Sequence, residues 1–184
     1  MTGYQQGILW ASGCYQNNRF AVRNVDKHYI DAIKSVFPGN QPYLQKHNTK
    51  GKKDYWVIKS AKIKQISLSD VAEMEGFITA IIELNSCASL GTRKRRDGTH
   101  YYRPILRIYG TVETLDFIKP HLPIKPKKTQ KQKTNTGTTY YISIASAKEL
   151  DNIYNFCEHK NKYFWDRFNN LLDGKLNDKN HPWI

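Results

Sequence analysis

The sequence predicts an α+β fold: two tandem αββαββα repeats forming a pseudo-twofold-symmetric monomer. Three observations predict it. Blocks of the first half reappear in the same order in the second half. The segments between turn signals alternate polar and apolar residues at strand spacing. The positive charge follows the repeats rather than the whole chain.

The repeat rests on four blocks. Residues 3–14 (GYQQGILWASGC) align without gaps on 76–87 (GFITAIIELNSC), and 19–23 (RFAVR) on 103–107 (RPILR). Residues 30–38 (IDAIKSVFP) match 115–123 (LDFIKPHLP), and 55–62 (YWVIKSAK) match 140–148 (YYISIASAK) with one residue inserted. The separation grows from 73 to 85 residues because the second copy carries a longer insertion around 89–102. The division is a first repeat over 1–73, a second over 74–160, and a C-terminal helix and tail over 161–184.

Each copy opens on an apolar, proline-free stretch that reads as a buried helix. Gly3, Gly7 and Ala11 recur every four residues on one face, with Gly76 and Ala80 at the equivalent places. Small residues at that spacing let two helices approach closely, here across a pseudo-twofold axis rather than in a membrane. Residues 15–25 then read as a hairpin turning at Asn17-Asn18. The counterpart, 89–109, turns near Asp97-Gly98, a strong hairpin signal. A short helix over 27–36 stops before Pro38-Gly39. A second hairpin follows: 43–49, a Lys50-Gly51-Lys52 turn, and 54–60. Its counterpart runs 125–133, a Thr136-Gly137 turn, and 139–146. A closing helix is expected near 68–74 in the first copy and over 147–159 in the second. A terminal helix is expected over 163–172.

The chain has 184 residues, 39% of them apolar, enough for one compact domain or two small fused ones. The net charge of +13 favours a polyanionic partner: DNA, RNA or an acidic membrane surface. The excess lies on the repeats, +6 over 1–73 and +8 over 74–148, while 149–184 is near neutral. The tail is therefore expected to be structural and the repeats to bind. Three cysteines, Cys14, Cys87 and Cys157, form neither a disulfide framework nor a zinc-ligand spacing, which points to a reducing compartment. The longest apolar run near the start is Ile8-Leu9-Trp10-Ala11, too short for a signal or a span. No membrane partner is expected. The expected location is cytoplasmic, with nucleoid, organelle and nucleus left open. Neither a Ser/His/Asp arrangement nor a phosphate loop is present.

The element order, the doubling and the opening helix together resemble the LAGLIDADG homing endonucleases, over about residues 2–160. That family's signature helix ends in an acidic residue followed by glycine and a small residue. Here the helices end Ser12-Gly13-Cys14 and Asn85-Ser86-Cys87. The resemblance implies that the two signature helices pack along the pseudo-twofold axis. It also implies that each antiparallel sheet curves into a saddle over the DNA major groove. In the family each helix delivers one carboxylate to the scissile phosphates. The matched positions here, Ser12 and Asn85, are neutral, and phosphodiester hydrolysis needs anionic oxygens to hold divalent cations. Glu83 precedes Asn85 by two residues and points about 200° away around the helix, so it does not substitute. Its counterpart is Trp10. No catalytic residue, metal ligand or cofactor is therefore expected; Mg²⁺ enters only if the chain is an endonuclease with unusual ligands.

Double-stranded DNA is the expected partner of a monomer, with RNA as a further candidate. The major groove admits a two-stranded ribbon, so polar residues on exposed strand faces are the candidate readers. In the first copy these are Gln16, Asn18, Arg19, Arg23, Gln45, His47, Lys50, Lys52 and Lys53. In the second they are Arg93, Lys94, Arg95, Arg96, Arg103, Arg107, Lys125, Lys127, Lys128, Gln130, Lys131, Gln132 and Lys133. Arginine pairs bidentately with guanine, asparagine and glutamine pair with adenine, and lysine mostly takes phosphates. The stretch 125–133 reads as a polar strand face or a solvated basic loop, and 93–96 as a reader, a localisation signal or a hairpin tip. Tyr55, Trp56, Tyr140 and Tyr141 lie in apolar strands and are expected in the core, as are Trp165 and Phe168 of the last helix. Three functions remain open: a sequence-specific DNA-binding regulator on an inactive endonuclease scaffold, an active metal-dependent endonuclease, and an RNA-binding intron maturase.

Overall fold

The structure, a computed structural model, describes residues 1–17, 19–49, 51–60, 63–135 and 137–173. The expectations at Asn18, Lys50, Thr136 and the tail beyond 173 lie outside the described residues. The chain divides into two compact units, the first ending at Leu84 and the second beginning at Asn85.

In the first unit, α1 (Gly3–Ser12) starts at a capping box: the Thr2 hydroxyl accepts from the Gln5 amide and the Gln5 side chain accepts from the Thr2 amide. It runs directly into β1 (Gly13–Gln16), which pairs antiparallel with β2 (Arg19–Asn24). Asn17 takes the left-handed conformation (φ 51°) that this tight turn requires and that asparagine tolerates. Asp26 caps α2 (Lys27–Ile33) by accepting from the His28 amide, and a 3-10 turn, Lys34–Val36, completes the expected helix. The second hairpin is β3 (Tyr43–Gln45) and β4 (Tyr55–Lys59), shorter than its apolar pattern suggested. The sheet order is β1-β2-β4-β3. Ile8 and Leu9 of α1, Ile30 and Ile33 of α2, and Phe20, Val22 and Ile58 of the strands bury one face of this sheet.

The closing helix expected near 68–74 is instead a single 3-10 turn, Leu68–Asp70. The Gln6 side chain takes the backbone groups a helix would have paired, donating to the Asp70 carbonyl (2.8 Å) and accepting from the Ala72 amide (3.2 Å). Glu73 then accepts from the Gly76 amide at 2.7 Å, at the start of α3 (Met74–Asn85). Every residue from Gly76 to Glu83 is buried, the pattern of a helix surrounded on all sides.

The small face of α1 packs on α3. A β-carbon at Gly7 would lie 2.6 Å from the Phe77 carbonyl oxygen and 2.7 Å from the Ala80 β-carbon; one at Gly3 would fall on the Glu73 carbonyl oxygen. Glycine is required here by backbone approach, not by torsion. Two turns on, the buried Tyr4 hydroxyl donates to buried Glu83 at 2.5 Å and lies 3.2 Å from His28 Nε2. The three side chains tie α1, α2 and α3 together.

The second unit repeats the topology. β5 (Ser86–Lys94) and β6 (His100–Gly110) form a longer hairpin, followed by α4 (Val112–Ile118), β7 (Gln130–Thr134), β8 (Gly137–Ile144), α5 (Ala147–Phe156) and α6 (Lys162–Leu172). The sheet order, β5-β6-β8-β7, is that of the first unit. At the hairpin tip Gly98 adopts φ +88°, a conformation that costs residues with a β-carbon. The Thr99 hydroxyl and amide hold the Asp97 carboxyl below its usual range. Leu106, Ile108, Ile142 and Ile144 of the strands and Leu115, Ile118, Leu150 and Ile153 of the helices are buried, and α6 adds Trp165, Phe168 and Leu171 to the buried set.

Counted from the helix ends, Gly13 pairs with Val22, whereas Ser86 pairs with Ile108. Leu106, which the sequence alignment set level with Val22, is thus displaced by two residues. A shift of two leaves every side chain on its original face. None of the three cysteines is in a disulfide, and among the described residues no helix is long and apolar enough to cross a membrane.

Two outcomes follow. Gly7→Ala should destabilise the fold by about 1–3 kcal/mol, because overpacking against Phe77 and Ala80 outweighs the gain in helix propensity; a denaturant midpoint equal to or above wild type would refute the close approach. Burial, and then the Glu83 carboxylate, push the Tyr4 hydroxyl well above the ordinary tyrosine range. Its contribution is therefore full below the unfolded value of about 10 and declines as pH rises beyond it. Tyr4→Phe should cost about 1–3 kcal/mol at neutral pH and flatten the alkaline loss, read from urea midpoints between pH 7 and 11.

Candidate nucleic-acid interface

Strand alternation separates each sheet into a face packed on helices and an outer face. In the first unit the outer face carries Gln16 on β1, Arg19, Ala21 and Arg23 on β2, Tyr55, Val57 and Lys59 on β4, and Tyr43 and Gln45 on β3. The Arg23 guanidinium lies 6.0 Å from the Tyr55 ring centroid, and the Lys59 ammonium 5.8 Å from that of Tyr43. Val57, between Arg23 and Tyr43 in the ladder, is fully buried. In the second unit the outer face carries Arg93, Tyr101, Arg103, Ile105, Arg107 and Tyr109, with Gln130, Gln132 and Tyr141 on β7 and β8. Arg107 stacks 5.7 Å from the Tyr141 centroid, and Tyr109 packs on the same ring at 5.6 Å.

The candidate readers sort into four groups. Gln16, Arg19, Arg23 and Gln45 share one outer face; Arg93, Arg103, Arg107, Gln130 and Gln132 share the other. His47, Lys52 and Lys53 lie in the β3–β4 loop, Arg95 and Arg96 in the β5–β6 turn, and Lys125 and Lys128 in the segment before β7. His47 accepts at Nδ1 from the Thr49 amide and donates its own amide to Asp54, so it shapes its loop.

The remaining group corrects the sequence reading. Lys94, Lys131 and Lys133 alternate with Arg93, Gln130 and Gln132, and therefore point to the opposite sheet face. The 125–133 stretch is a strand only from Gln130 onward, since Pro126 and the preceding turn delay it. Lys127 is bound to the Glu149 carboxylate at 2.9 and 2.7 Å, and its side chain is 26% exposed. The same carboxylate accepts from the Lys125 amide, so this lysine anchors α5. Tyr55 and Tyr141 are not core residues; both line the outer faces beneath arginines, whereas Trp56 packs against the core with Lys27 5.2 Å from its ring. Lys59 was missed by the sequence reading: consecutive apolar Val57 and Ile58 hide the alternation that sets it on the face of Tyr55.

Among the described residues none of Arg19, Arg23, Arg93, Arg103 and Arg107 is in an ion pair. Arg103 and Arg107 each bury Nε with no hydrogen-bond partner. A buried guanidinium nitrogen without a partner is costly to the fold. The outer faces thus present cationic, donor-rich groups that the protein does not neutralise.

Ser12 and Asn85 are the last residues of α1 and α3, half-buried at the points where each helix passes into its first strand. A hydroxyl and an amide do not fit a divalent cation beside a phosphate, where anionic oxygen donors are required. Among the described residues no group of three or more His, Cys, Asp or Glu side chains could hold a metal ion. Glu83 is held by Tyr4, within the helix packing.

No protein-family model matches the chain, and no curated protein matches it in sequence. Solved structures do. The chain is similar to the I-LtrWI LAGLIDADG homing endonuclease bound to target DNA (TM-score 0.64, 12% identity, 93% of this chain and 89% of that one). It is equally similar in fold to the LAGLIDADG meganuclease I-AabMI bound to uncleaved DNA (0.64, 8%, 94% and 91%). Meganuclease I-SmaMI bound to uncleavable DNA follows (0.60, 10%, 96% and 98%). The chain therefore has the two-repeat fold of the LAGLIDADG homing endonucleases, over nearly its full length.

Because Nε of Arg103 and Arg107 lacks a partner, Arg107→Ala should leave the thermal midpoint unchanged or raise it. Lys127→Ala, which strips Glu149 of its ion pair, should destabilise by about 1–3 kcal/mol. Calorimetry of the two variants checks the contrast; an Arg107→Ala loss as large as that of Lys127→Ala would mean that the arginine supports the fold.

Proposed function

We propose that this protein binds double-stranded DNA sequence-specifically as a monomer and leaves it intact, acting as a DNA-binding regulator on a homing-endonuclease scaffold. The observation that carries the reading is the pairing of two features: outer sheet faces with unneutralised arginines and glutamines, and neutral residues at both helix ends where the fold's catalytic acids belong. Arginine and glutamine are the side chains that read guanine and adenine edges. Loop lysines and arginines, among them Lys52, Lys53, Arg95, Arg96 and Lys128, suit phosphate contacts that set register without reading sequence. The structurally similar I-LtrWI and I-AabMI are each bound to DNA, which supports DNA as the partner. Ser12 and Asn85 support binding without strand scission, since neither concentrates a divalent cation.

The test is to recover fragments of the source genome that the full chain retains, then incubate each recovered site with Mg²⁺ or Mn²⁺. Retention should be salt-sensitive, weakening by roughly 10³-fold between 50 and 200 mM salt if about six phosphates are neutralised. The DNA should stay uncut. Cutting would assign an endonuclease with unusual ligands, and preferential retention of structured RNA would assign an RNA-binding role.

A further inference from the structure

On each outer face one arginine lies over a tyrosine of the adjacent strand, and both pairs share one geometry. Arg23 faces Val57 across the ladder, and Tyr55 lies two residues back along β4. Arg107 faces Ser143, and Tyr141 lies two residues back along β8. That diagonal position is within reach of long and aromatic side chains but not of short ones. The guanidinium carbons stand 6.0 and 5.7 Å from the ring centroids. Two units of different sequence therefore fix an arginine by the same device, and Tyr109, directly opposite in the ladder, packs on the second ring. A guanidinium laid on a ring gives up rotamer freedom while its terminal N–H fork stays available. Among the described residues no carboxylate occupies either fork.

We propose that Tyr55 and Tyr141 are positioning residues that hold Arg23 and Arg107 as guanine readers, one for each half of a duplex site. The ligand group is the O6 and N7 edge of guanine in the major groove, the acceptor pair that an arginine fork fits. This rests on the DNA-binding reading above. It adds that base preference at two positions depends on the tyrosine rings beneath the arginines. A lysine at 23 or 107 would still be attracted by the ring but has no planar fork to orient.

The experiment selects duplexes from a randomised library with the full chain, then measures affinity for the selected site with each guanine replaced in turn. Arg23→Lys and Arg107→Lys should each erase the guanine preference at one position, a different one for each, by about tenfold. Tyr55→Leu and Tyr141→Leu should reduce the preference at the same positions as their arginines, by about two- to fivefold, and more than at any other position. Tyr55→Phe and Tyr141→Phe should keep the preference, because the ring face is retained. Leucine variants that preserve the guanine preference, or that weaken every position equally, overturn the proposal. So do phenylalanine variants that lose it. If the wild-type chain selects no duplex at all, the DNA-binding reading falls and this one with it, a failure seen before any substitution is made.

Discussion

At Gly7 the backbone of α1 lies against Phe77 and Ala80 of α3 with no side chain between them. This contact fixes the spacing of the two helices more tightly than interdigitated leucines would, because backbone atoms have no rotamers with which to adjust. The ends of both helices inherit that precision: α1 delivers its last residue directly into β1, and α3 delivers its last residue directly into β5. The buried Tyr4–Glu83 hydrogen bond acts on the same contact from the side. It gives the packed surface a polar match that a slipped helix would leave unpaired, at a cost set by burial.

With the helices fixed, each sheet has one face committed to apolar packing and one left over. The outer faces are where the chain departs from what stability alone would select. Lys127 has its carboxylate, and Lys27 and Lys119 have theirs, but the sheet arginines do not. Arg103 and Arg107 go further and bury a nitrogen without a partner. Such groups weaken an isolated fold. Together with neutral Ser12 and Asn85, they are what the proposed reading of binding without hydrolysis rests on.

Much of this was legible in the sequence, for identifiable reasons. The opening helices, the first hairpins and the element order follow from periodicity and from strong turn signals such as Asp97-Gly98. The closing helix of the first repeat was not legible, because a distant side chain, Gln6, takes the backbone groups of 70–72. The role of Lys127 depends on Glu149, 22 residues away. Tyr55 and Tyr141 look like core residues because composition cannot say which face of a strand lies against helices. Face assignment depends on register, and the one-residue alternation that moved Lys94, Lys131 and Lys133 away from Arg93, Gln130 and Gln132 is fixed only by the ladder itself.

The first hairpin begins with a strand of four residues and the second with one of nine. At about 3.4 Å per residue these strands extend roughly 14 and 31 Å. Inside a single chain such inequality makes the two repeats non-equivalent. On the proposed DNA-binding reading, a site with twofold-related identical halves could not match both hairpins, which gives the protein one preferred heading on the duplex. A homodimer of identical subunits lacks that heading, because turning it end for end changes nothing. On that reading, two unequal repeats in one chain make orientation itself a property that the bound protein can report.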